Sequence, residues 1–81
     1  MKIFFGARVT WREQFGDEWY VFKGRVNAFS QEVEQEAVDP IVISYALVGD
    51  VRSKRESSKD WYRNPGQRRV NVELLELDGV G

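Results

Sequence analysis

Arginine and lysine interleaved with aromatic rings are the residues of this chain best placed to do chemistry, and that chemistry is the binding of anions and stacking. Two stretches carry them. The first holds Arg8, Arg12, Lys23 and Arg25, with Lys2, Thr10, Val21, Trp19 and Phe4 among them. The second runs from Arg52-Ser53-Lys54-Arg55 through Lys59-Asp60-Trp61-Tyr62-Arg63 to Arg68-Arg69. Guanidinium and ammonium groups neutralise phosphates or carboxylates, and rings beside them offer flat surfaces to bases or to apolar partner side chains. Each stretch has an ordinary alternative. The protein's own acids, Glu73 or the segment 32–36, could neutralise the first. Trp61 and Tyr62 could fold back as a plug on the core.

The inventory for catalysis is thin. The 81 residues include neither histidine nor cysteine, which removes the commonest general base, the usual transition-metal ligands and the thiol nucleophile. Ser57-Ser58-Lys59 sets hydroxyls beside an amine, but a polar loop gives no burial to depress a lysine pKa. Glu32, Glu34, Glu36 and Asp39 could offer oxygen ligands, yet no glycine-bearing metal loop accompanies them and a solvated acidic face is expected. Arg, Lys, Tyr and Glu can cleave RNA without histidine in some small toxins, but those are strongly basic and this chain is not. No glycine-rich phosphate loop is present. The expectation is a protein that is not an enzyme and has no cofactor and no metal.

Charge is segregated. The net charge of −1 conceals +3 over residues 1–12, −6 over 13–50, +5 over 52–69 and −3 over 70–81. Blocks of this kind make patches of either sign, and a pI near 5.4 argues against broad nucleic-acid binding.

The elements that position these residues follow from a period of two. Ile3, Phe5, Ala7, Val9, Trp11 and Phe15 alternate with mostly polar residues, and Tyr20, Phe22, Gly24, Val26 and Ala28 repeat the pattern. A Gly16-Asp17 tip suits a type II′ turn, with glycine first where φ must be positive. Phe15 then opposes Glu18, Trp11 opposes Phe22, Val9 opposes Gly24, Ala7 opposes Val26 and Phe5 opposes Ala28. Both apolar sets share one face, and Arg8 with Arg25 and Thr10 with Lys23 share the other. Gly24, beneath the Trp11 and Phe22 pair, is read as permitting close packing or a bend.

Beyond the hairpin, residues 30–38 admit two readings. Glu, Gln and Ala, an N-cap at Ser30 and a stop at Pro40 favour a short helix; Glu32, Glu34 and Glu36 alternating with Val33, Gln35 and Ala37 would instead prolong the strand. The helix is preferred on propensity. Ile41–Val48 is apolar on both faces and marks an interior strand. Gly49-Asp50 is a second turn candidate, after which Val51–Arg55 could return as a strand. Residues 56–67 form a polar loop, and Arg68–Asp78 the last strand, with Val70, Val72 and Leu74 inward and a bulge at Leu74-Leu75.

The fold class is therefore mainly β: a small antiparallel β-roll or barrel built on an N-terminal hairpin, with one short helix at 30–38. Residues 1–81 make a single small domain, which buries about 60–65% of its unfolded surface and gains about 4–12 kcal/mol net. Lack of cysteine fits a cytoplasmic protein, and Ile3-Phe4-Phe5 is too short for a signal peptide or membrane span.

Patches of both signs put a protein partner first, because complementary charge sets register and encounter rate. A short chain beginning at Met1 fits a stand-alone regulator or inhibitor of the kind phage and mobile elements encode. A small β-barrel that binds nucleic acid through its basic aromatic faces is the alternative. A homo-oligomer is also open, since an open sheet leaves edges to pair. The residues expected at a partner surface are Arg8, Arg12, Trp19, Lys23, Arg25, Arg52, Lys54, Arg55, Trp61, Tyr62 and Arg63.

Overall fold

The structure, a computed structural model, describes residues 3–34, 38–39 and 41–79. Among these residues six strands form one antiparallel sheet that does not close. Strands β1 (Arg8–Phe15) and β2 (Glu18–Glu34) are the hairpin, and β3 (Ile41–Arg55) lies along β2. The far edge of β3 carries two short strands, β4 (Tyr62–Arg63) and β5 (Arg68–Asn71). Strand β6 (Glu76–Leu77) pairs with the outer edge of β1. A 3₁₀ turn at Val72–Leu74 carries the chain from one edge to the other, so the sheet curls into an open roll.

The hairpin register is the one its alternation dictates, from Arg8 opposite Arg25 through Val9 with Gly24 and Trp11 with Phe22 to Phe15 with Glu18. Gly16 takes φ +62 while Asp17 keeps a negative φ, as a type II′ turn requires. The inward residues meet in one core: Ala7, Val9, Trp11, Phe22 and Val26 from the hairpin, Ala46, Val48 and Val51 from β3, then Val70 and Leu75. Trp11 and Phe22 stack with ring centroids 5.3 Å apart, and the Trp11 indole N–H donates to Glu13 Oε2 at 2.9 Å. Burying that N–H unpaired would offset part of what its ring contributes.

Four expectations are corrected. The first strand does not extend back to Ile3. The Phe4 carbonyl accepts from the Ala7 N–H in a tight turn, Gly6 donates to Val26 in place of Ala7, and Phe5 is left 72% exposed rather than facing Ala28. Ala7 still packs beside Val26.

Residues 30–34 are strand, not helix. The apolar Ile41–Tyr45 stretch runs alongside, pairing Ser30 with Tyr45 and Val33 with Val42, and these ladder bonds outweigh the helix propensity of two turns. Residues 35–37 and Pro40 lie outside the described residues, as does Lys2.

Gly49-Asp50 does not reverse the chain. Val48 pairs with Val26 and Arg52 with Lys23 on the same partner strand, so β3 runs on through a bulge in which Asp50 adopts φ +50. A second register shift, at Asn27 in β2, compensates it. Finally, Arg68–Asp78 is not one strand. The adjacent leucines are accommodated by the 3₁₀ turn, which buries Leu75 and leaves Leu74 at the surface.

Candidate anion-binding face

Alternation that sends Val9, Trp11 and Phe22 inward sends Arg8, Thr10, Arg12, Lys23 and Arg25 outward. Pairing of β2 with β3 then sets Arg52 beside Lys23, and pairing of β3 with β4 sets Arg63 beside Arg52. Parts of the two basic stretches of the sequence thus meet on one face. Lys23, Arg52 and Arg63 form a row across three strands, and Arg8 with Arg25 forms a second row two residues further along. Directly opposed residues on one face stand about 5 Å apart at Cβ, close enough for like charges to repel.

These five cations surround a depression of about 260 Å³. Gly24, Asp50 and Asp78 complete its lining. Asp50 reaches it through the bulge in β3. Asp78 is delivered by β6, its backbone N–H donating to the Arg8 carbonyl at 2.8 Å.

Countercharge is distributed unevenly. The ion pairs among the described residues are Arg12 with Glu56, Arg55 with Glu18 (3.3 Å), Arg68 with Glu13 (3.1 Å) and Arg69 with Glu32. Neither Arg8, Lys23, Arg25, Arg52 nor Arg63 has a carboxylate of the described residues within ion-pair distance. Glu32 is committed to Arg69, and Glu73 sits on the 3₁₀ turn with no ion pair among the described residues. Glu36 is outside the described residues. The acids named as neutralisers of the Arg8 and Arg25 pair thus do not reach it among the described residues.

Trp61 lies at the border of this face. Its ring receives Lys23 Nζ at 4.2 Å and Lys54 Nζ at 5.6 Å from the centroid, and the side chain is 37% exposed. Lys54 also donates to the Ser58 carbonyl at 2.9 Å, tying down the loop that carries Trp61. Tyr62, opposite Ser53, is 66% exposed. Neither ring plugs the core.

Three of the expected surface residues lie elsewhere, by the hairpin tip. Arg12 stacks over Trp19 at 4.5 Å while bonding Glu56. Hydrogen bonding with Tyr20, and then the charge of Glu18, hold the Arg55 guanidinium even more firmly protonated than usual. These groups satisfy one another. Trp19 and Arg55 line a second depression of about 370 Å³ together with the acids Asp17, Glu18 and Glu56. Asp50 and Asp78 were not expected at a site from the sequence, and Gly24 was read there as a glycine for close packing or a bend. Asp50 carried a signal, its Gly-Asp dipeptide, but one that reads equally as a turn; Asp78 carried none.

Among the described residues no group of three or more acidic side chains is arranged to hold a metal ion. No described helix is long and apolar enough to cross a membrane. No protein-family model, curated protein sequence or solved structure matches this chain.

Proposed function

We propose that this protein is a non-catalytic binding module that takes single-stranded nucleic acid on the outer face of its sheet. The observation that carries the reading is the gathering of Arg8, Lys23, Arg25, Arg52 and Arg63 around one depression without an ion-paired acid among the described residues, while Arg12, Arg55, Arg68 and Arg69 are all paired. Like charges opposed across strands cost stability, and a phosphate backbone supplies the missing counterions. Trp61 at the border adds a surface for base stacking, the usual complement to a basic groove that follows a single strand. The modest net charge agrees with a contact confined to one face, because the acids of the hairpin tip would repel a strand that strayed there.

A protein partner or second copy is the other reading, and a separate observation favours it. Beyond Arg25 and Tyr45 the β2–β3 ribbon has no neighbouring strand on either side among the described residues, and it carries Phe29, Val33 and Val42 exposed along its length. Fluorescence anisotropy of labelled oligonucleotides decides between the two. Salt-sensitive binding that Arg52→Glu removes supports the nucleic-acid reading. No binding at low salt, with a concentration-dependent mass in solution that Phe29→Ser abolishes, supports the ribbon.

A further inference from the structure

The two carboxylates that line the depression are placed asymmetrically, and their placement bears on which part of a strand could lie there. Asp50 stands next to Gly49, the cross-strand partner of Arg25, and Asp78 stands beside Arg8 on the outer side of β1. The row containing Arg25 and Arg8 is therefore bounded at both ends by a negative charge. Neither acid is within ion-pair distance of the cations, so they bracket the row without neutralising it. The row of Lys23, Arg52 and Arg63 meets a carboxylate only toward β6, where Glu76 pairs with Thr10 beyond Lys23, and at Arg63 it leads to the edge strand of the sheet, where Trp61 lies.

From this arrangement, and resting on the nucleic-acid reading above, we infer that the depression seats a terminal phosphate of a single strand. The phosphomonoester lies between Arg8 and Arg25, and the adjoining nucleotides leave along Lys23, Arg52 and Arg63 toward Trp61. A continuous strand running through the Arg25 and Arg8 row would bring its neighbouring phosphates against Asp50 and Asp78, where like charges repel. A chain end has no such neighbour on one side. A phosphomonoester also carries nearly two charges and three acceptor oxygens, against one charge for a diester, which suits five convergent cations set against two carboxylates.

The test uses the intact protein and single strands of one sequence, about ten nucleotides long, ending in hydroxyls, in a 5′-phosphate or in a 3′-phosphate. One phosphorylated form is expected to bind about tenfold tighter than the hydroxyl form, and the preferred end fixes the strand polarity. The double variant Arg8→Ser with Arg25→Ser, checked for its fold by thermal melting, is expected to erase that difference. Equal affinity for all three strands overturns the terminal seat and leaves the strand-binding reading standing. Displacement of the strand by inorganic phosphate at a matching concentration overturns it too, in favour of a small-anion site. No binding of any strand, or displacement by polyglutamate at equal charge, overturns both and assigns the face to an acidic protein.

Discussion

Gly24 and Val48 are so close that a Cβ on the glycine would stand 2.5 Å from Val48 Cγ1, and 2.6 Å from the carbonyl oxygen of Gly49. Side chains yield by rotation; a paired backbone carbonyl does not. The close approach of β2 and β3 therefore depends on glycine at this position, and the same approach brings Arg25 and Lys23 alongside the bulge that carries Asp50. One residue thus lines the basic depression and lets β2 approach β3 closely.

Gly24→Ala is accordingly expected to lower stability by about 1–3 kcal/mol, the usual cost of forcing extra volume into a packed site. Urea denaturation at neutral pH measures it. A variant as stable as the parent would show that β3 can move away freely.

Arg8→Ser and Arg25→Ser should behave in the opposite sense. Each removes one of two like charges facing across the hairpin, so stability is expected to stay level or rise by about 0.2–1 kcal/mol. Binding should weaken at the same time. A loss of stability in either variant, read from the same denaturation curves, would point to a neutralising partner within the fold.

Salt dependence separates the central cations from those at the tip. With about five phosphates neutralised on a single strand, affinity should fall about a hundredfold between about 50 and 200 mM salt. Arg52→Gln should reduce the slope of log affinity against log salt by about 0.7. Arg12→Gln, whose guanidinium is held by Glu56 and Trp19, should leave the slope unchanged. Anisotropy titrations at four salt concentrations distinguish the two.

Trp61→Ala and Phe22→Ala form a contrasting pair. Trp61 is a border residue held by Lys23 and Lys54, and its loss should cost about 1 kcal/mol or less while weakening strand binding. Phe22 is buried against Trp11, and its truncation should cost about 3–5 kcal/mol, enough to unfold much of the population of so small a domain. Circular dichroism melts read both. Unfolding by Trp61→Ala would place that ring in the core.

The pH dependence of binding provides an independent sign. Without histidine or cysteine, no side chain of this protein ordinarily changes charge between about pH 5 and 7. A terminal phosphate loses its second proton with a pKa of about 6, so it is more negative above that value. Affinity for the preferred phosphorylated strand should therefore rise from pH 5 to 7, while affinity for the hydroxyl-ended strand stays flat. Parallel curves for the two strands would contradict the terminal seat.

Much of the hairpin was legible because one residue of slip would have turned every apolar side chain outward, so alternation and turn type fix the same register. The segment 30–34 was not, because Glu, Gln and Ala read as helix until a neighbouring strand is known to be available. Gly49-Asp50 shows the same limit. A left-handed residue next to glycine serves a turn or a bulge equally well, and only the pairing of β3 on both sides of it decides. The basic face was legible in its parts, but alternation along a strand says nothing of which strand lies beside it. Lys23 and Arg52 are 29 positions apart in sequence, and their adjacency belongs to strand order alone.

The pairing of Val9 with Leu77 joins the first strand of the sheet to the last, across nearly the whole chain. Most contacts here join residues at least twelve positions apart, and domains of that kind fold in milliseconds to seconds because long loops must close before their contacts form. During synthesis the hairpin can form early, with Arg8 and Arg25 already opposed. Asp78, which closes one side of the depression, arrives only with the final strand. The anion site is thus a property of the finished topology, complete only once β6 has paired with β1.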